Sequence, residues 1–170
     1  VGFGGSAVAG TYATNYIATT ETQVGSNPGT WADLATVGPS VSIDIAQNSL
    51  VFFVGSVIMW NTTGGSAMRC RLVNTSGNFN IQTGATSPVT YSPGMSNKAN
   101  TEPTHPTMLS SNQVYTDALG AGPNNYRSPP MFFHAGASLT GETFKLEYSA
   151  LFGTGNWKNR RLSVLVIALT

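Results

Sequence analysis

The chain has 170 residues, a formal net charge of +1, and 9% charged against 41% apolar side chains. That length fits one domain with a buried core, with or without an arm, and the near-zero net charge leaves no basic footprint for nucleic acid or an anionic membrane. Gly, Ser, Thr and Asn replace the missing charge, which suits turns between strands rather than disorder, since disorder requires high net charge and few aromatics.

Residues 1–29 are small, polar and Gly-rich and hold no period for long, so they read either as a disordered terminus or as an extended N-terminal arm that orders on a partner, and the arm is the expectation carried forward. The only charge there is Glu21. Phe3, Tyr12, Tyr16 and Ile17 stand out as scattered anchors. The opening "VGFGGSAVAGTYATNY" lacks a basic region followed by a continuous apolar run, so a signal peptide is not expected. "GFGGSA" fits a dinucleotide-binding pattern on paper, but no strand precedes it.

From Thr30 the texture changes, and residues 30–170 are expected as one jelly-roll domain. "TWADLA" and "PSVSIDIA" alternate with period two; Val41, Ile43 and Ile45 share a face opposite Ser42 and Asp44. "LVFFVGSVIMW" is apolar on both faces, with Leu50, Phe52, Val54, Ile58 and Trp60 on one and Val51, Phe53, Val57 and Met59 on the other. In "AMRCRLV", Met68, Cys70 and Leu72 alternate with Arg69 and Arg71, and "NFNIQ" reads as a short strand. The sequons at Asn61 and Asn74 read as chance in so Asn- and Thr-rich a chain. Residues 84–129 read as long connections with one or two short strands, since a structureless loop of that length is unusual in a compact domain.

Order returns at "PPMFFHAG". In "ETFKLEYSALF", Phe144, Leu146, Tyr148 and Ala150 face the core and Lys145, Glu147 and Ser149 face out. "RRLSVLVIALT" is again apolar on both faces, with Leu162, Val164 and Val166 opposite Leu165, Ile167 and Leu169. No amphipathic helix of useful length appears. The fold class is therefore all-β, an antiparallel β-sandwich.

Chemistry is not signalled. Cys70 is alone, which rules out an intrachain disulfide, and reads as a small buried hydrophobe. His105 lies between prolines and His134 in a strand; both read as structural. There is no zinc-protease motif, P-loop or nucleophile elbow. Neither an enzyme nor a cofactor or metal is expected.

In a sandwich, a strand should show one core face and one polar face. Two strands here break that rule, and with no crossover helices to make a parallel sheet the outer faces are expected to meet another subunit. The strand "FKLEYSA", the turn "GTGNW" and the strand "NRRLSVLVI" resemble the closing hairpin of tumour-necrosis-factor-like jelly rolls, whose final strand commonly reads Asn-Arg-x-Leu-x-Val. Here those positions are Asn159, Arg160, Leu162 and Val164. "TWADLATVGPSVSIDIAQNSLVFFVGS" is similar to the start of the same family. The resemblance covers about residues 30–80 and 130–170. It implies a jelly roll, a homotrimer, and the kind of protein found in phage virions.

On that basis the trimer interface is expected at Phe53, Val57, Met59, Arg161, Leu165, Ile167 and Leu169. The basic group Lys158, Arg160 and Arg161 is read as a solvated strand end, as part of that interface, or as a site for an external anion. The expected role is a capsid decoration (cement) protein on the virion surface, with Phe3, Tyr12, Tyr16 and Ile17 lying on the major capsid protein. A chain of this size without a fibrous stalk favours decoration. The alternative is a tail-fibre or baseplate head that binds a host glycan through residues 84–129. A hydrolase would need a carboxylate pair, which nothing marks.

Overall fold

The computed structural model describes residues 10–26, 30–62, 66–76, 94–95, 115–118, 124–127, 131–150 and 152–169. Phe3, His105 and the "NFNIQ" strand lie outside them. The described elements are all strands: β1 (Gly10–Ile17), β2 (Glu21–Val24), β3 (Ser40–Ile45), β4 (Ser49–Asn61), β5 (Ser66–Asn74), β6 (Gly94–Met95), β7 (Tyr115–Ala118), β8 (Asn124–Arg127), β9 (Met131–Ala135), β10 (Leu139–Ala150) and β11 (Thr154–Ala168). Three of them, β6, β7 and β8, fall in the 84–129 region. "TWADLA" supplies no strand, only an isolated bridge between Ala32 and Tyr148.

Two antiparallel sheets result. One runs β1-β11-β4-β8, with β2 also on β11 and β9 also on β4; the other runs β3-β10-β5-β6, with β7 also on β5. The pairs β1/β2, β6/β7 and β8/β9 each share one partner, so eleven strands occupy eight positions. The first position pairs with the last, the second with the seventh, the third with the sixth and the fourth with the fifth. A long antiparallel ribbon folded over on itself has that order, and it is the jelly roll. The closing pairs β11·β4 and β10·β5 put the longest strands in the middle of each sheet.

The core lies between the sheets. Val41, Ile43 and Ile45 of β3, Met68, Cys70 and Leu72 of β5, and Phe144, Leu146, Tyr148 and Ala150 of β10 point inward from one sheet. Val51, Phe53, Val57 and Met59 of β4 and Leu162, Val164 and Val166 of β11 meet them from the other. Phe53 packs edge-on to Phe144 at 4.8 Å between ring centroids, and Tyr148 tilts against Trp157 at 5.5 Å. Gly155 leaves room for the Trp157 ring, which a Cβ there would strike. Each of the larger side chains contributes about 1.5–3 kcal/mol by leaving water.

The stretch expected as an arm is part of the sandwich from Gly10 onward. β1 pairs with β11 from Gly10↔Ile167 to Ile17↔Arg160, and β2 continues along the same strand from Thr154↔Val24 to Trp157↔Glu21. The reason is backbone satisfaction: β11 has 15 residues, and β4 covers one edge only. At the sandwich's open side, the Asn15 amide donates to the Ser40 carbonyl at 2.8 Å, tying the two edge strands together.

Candidate assembly surface

The outer face of the β1-β11-β4 sheet is built in cross-strand rows. Tyr12 lies opposite Leu165, which lies opposite Phe52; Thr14 lies opposite Ser163, then Val54; Tyr16 lies opposite Arg161, then Ser56. Ile167 faces Leu50 in the next row. Leu50, Val54, Ile58, Trp60, Leu165 and Ile167 are half-buried rather than buried. Tyr12 and Tyr16 are 61% and 48% exposed. Among β1, β4 and β11, this face carries charge only at Lys158 and Arg161, both exposed.

Polar groups here are tied to one another rather than to solvent alone. The Tyr16 hydroxyl donates to Asn159 Oδ1 at 2.8 Å, and the Arg161 guanidinium lies over the Tyr16 ring at 5.2 Å. Tyr12 donates to Ser163 Oγ at 3.3 Å, and hydrogen bonds from its oxygen's surroundings, Ser163 first and then Thr14, lower the phenol's pKa from the usual tyrosine value. The face can bury apolar and aromatic area and stack a planar cation; among the described residues it contains no nucleophile set beside a base. Among the described residues no three His, Cys, Asp or Glu side chains converge on a possible metal site.

Three of the residues expected at a subunit contact are elsewhere. Phe53, Val57 and Met59 are fully buried in the sandwich core. The outward set on β4 is the opposite parity, Leu50 to Trp60. Both faces of this strand are apolar, so hydropathy does not distinguish them; the facing sheet decides. On β11 the expected parity holds: Arg161, Leu165 and Ile167 point outward, and Leu169 follows the strand's end, 38% exposed. Ile17 is half-buried at the end of β1, and His134 is exposed, with its Nε2 2.9 Å from Asn48 Oδ1.

The basic cluster divides in a way the sequence did not signal. The register between β11 and β4 shifts between Lys158 and Arg161, where Asn159 takes φ 51°. This is a β-bulge: one extra residue on β11 switches its inward parity from Gly155 and Trp157 to Arg160, Leu162, Val164 and Val166. Lys158 and Arg161 therefore stay outside, while Arg160 enters the core at 0% exposure. Its Nη2 is 3.1 Å from Glu21 Oε2, its guanidinium lies over the Tyr148 ring at 5.5 Å, and Nη1 reaches the Thr36 and Gly38 carbonyls at 3.4 and 3.5 Å. Nε and Nη2 have no aligned hydrogen-bond acceptor among the described residues, so the contact with Glu21 is chiefly Coulombic.

The other face of the sandwich is different in kind. Arg71 pairs with Glu147 at 2.6 Å, Lys145 bridges Asp33 at 2.7 Å and Glu147 at 3.1 Å, and Arg71 stacks on Trp31 at 4.6 Å. Among the described residues this surface is ionic and shows no apolar row, with Asp33 Oδ1 buried beside the Lys145 bridge. The sequon residues are structural: Asn61 donates to the Phe152 carbonyl and Asn74 to Glu142, both asparagines being buried.

No protein-family model matches the chain, and no curated protein matches it. Among solved structures, it is similar to two of infectious bursal disease virus, the Gx strain at 13% identity and a TM-score of 0.49 and the Gt strain at 15% and 0.44. These alignments cover 94% and 92% of this chain and 32% of each of those. A crystal structure of the T13 particle of the same virus follows at 12% identity and a TM-score of 0.40, over 94% of this chain and 35% of that one. This chain thus spans about a third of the length of those it resembles, and likenesses at these scores do not bear on its function.

Proposed function

We propose that this protein is a non-enzymatic virion component, a capsid decoration protein that forms a homotrimer through the outer face of the β1-β11-β4 sheet and binds the major capsid protein. The observation that carries the reading is that face: rows of Leu, Val, Ile and Trp at the centre of a sheet, on the side away from the core. A sandwich stable as a single copy would place polar residues there, as this molecule does on its opposite surface. Large exposed apolar surfaces mark sites of association. The jelly-roll strand order and the closing-hairpin motif at Asn159, Arg160, Leu162 and Val164 support the tumour-necrosis-factor-like comparison, and with it a threefold assembly.

Light scattering of the isolated protein should return three times 17.8 kDa. A monodisperse monomer at micromolar concentration would refute the assembly. Leu165→Asp or Ile167→Asp should yield folded monomer, because a charge at the contact would be buried unpaired. Quantifying the protein in purified particles separates the two virion roles: hundreds of copies fit decoration, and a few tens fit a tail-fibre or baseplate head.

A further inference from the structure

Residues 10–26 contribute no fully buried side chain; every one is half-buried or exposed. Their attachment to β11 is a backbone ladder along a sheet edge, side-chain hydrogen bonds from Tyr12, Thr14 and Tyr16 on the outer face, and one ion pair that reaches into the core. Glu21, 11% exposed at its side chain, reaches in from β2 to Arg160 in the core. Its Oε2 also accepts the Thr36 amide at 3.0 Å, and Oε1 accepts the Thr19 hydroxyl at 3.3 Å. Without Glu21, Arg160 would be a buried cation with two long carbonyl contacts and a tyrosine ring. Such a charge demands an anion or water.

We propose that the Glu21–Arg160 pair is an acid-sensitive latch, and that β1 and β2 form a strap that leaves β11 when Glu21 is protonated while the rest of the sandwich stays folded. The core depends little on the strap for apolar side chains, since the buried cluster is drawn from residue 34 onward and the strap adds only the small, partly buried Ala13 against it. The groups facing the latch are Arg160 of β11, Tyr148 of β10 and the Thr36 amide, with Cys70 of β5 behind them. Burial pushes both Tyr148 and Cys70 further toward their neutral forms, which leaves Glu21 as the group that titrates in acid.

The sign follows from the carboxylate. Desolvation pushes its pKa up, but the Thr36 contacts and the Arg160 charge outweigh it and hold Glu21 below the usual carboxylate range. A depressed folded-state value means the latch is closed above the unfolded value of about 4.3 and opens as pH falls through the lower folded value.

Hydrogen exchange on the full-length protein, corrected for intrinsic rates, tests this. At pH 7, Glu21→Gln should raise exchange of the amides in 10–17 and 21–24 by at least about tenfold, leaving β4, β5 and β10 unchanged. The native protein should reach the same pattern on acidification, and the variant should lose that pH response. A double variant, Glu21→Gln with Arg160→Met, should recover much of the strap's protection, because no charge is then left unpaired. Equal acceleration in strap and core, or an acid response that survives Glu21→Gln, would overturn the proposal.

Discussion

Asn159 occupies a left-handed conformation that residues other than Gly, Asn and Asp rarely adopt, and its side chain accepts the Tyr16 hydroxyl. Asn159→Ala should therefore cost about 1–2 kcal/mol of backbone strain, read as a lower urea midpoint. Asn159→Gly keeps the conformation and loses only the Tyr16 bond, so it should cost less. An Ala variant as stable as the native protein would mean that the bulge does not set the parity of β11. Cys70 makes a second residue-scale case. It is fully buried, and desolvation raises its thiol well above the ordinary range. Since the thiolate is the reacting species, a thiol reagent should modify it only at the rate at which the protein opens. Immediate labelling of native protein would contradict its placement between the sheets.

Among the elements, β4 is apolar on both faces, one buried in the core and one turned outward to the proposed contact. Phe53 fills the space against Phe144, and Phe53→Ala should cost about 3–5 kcal/mol through lost burial and the cavity left behind. Thermal unfolding should show this whatever the protein concentration. Ile58→Asp, on the outward side, should leave unfolding of the single chain nearly unchanged but reduce the scattering mass. The reverse pattern would exchange the two faces. β11 is central in a different sense: it receives β1, β2 and β4 along its two edges, so its bulge sets the alignment of three strands at once.

For the molecule as a whole, the two outer surfaces are opposites. One is a network of Arg71, Glu147, Lys145 and Asp33; the other is apolar and aromatic, with Arg161 stacked on Tyr16. Ionic contacts between exposed charges weaken with salt, whereas burial of apolar area does not. The mass of the proposed trimer should accordingly hold from about 0.05 to 1 M NaCl, a range over which the Debye length falls from above 10 Å to about 3 Å. Dissociation as salt rises would move the contact to the ionic surface.

Much of this architecture was legible in the residues. Alternation over 41–45, 68–72 and 144–148 assigned core and outer positions that the structure reproduces, because a strand with one polar face can be oriented only one way; Ser149, expected to face out, is instead fully buried. The apolar character of both faces of 50–60 and 162–169 was equally plain. Which face of β4 turned inward was not, since either choice buries the same kind of side chain; only contact with Phe144 across the sandwich decides it. Nor was the strap legible. Residues 10–24 carry no strong period, and they become strands because β11 presents an unpaired edge. Arg160 was hidden for the most local reason of all: a single residue in a left-handed conformation reverses the parity, and a charge that sequence places at a solvated strand end is delivered instead to Glu21, 139 positions away in the chain (160 − 21) and 3.1 Å away in space.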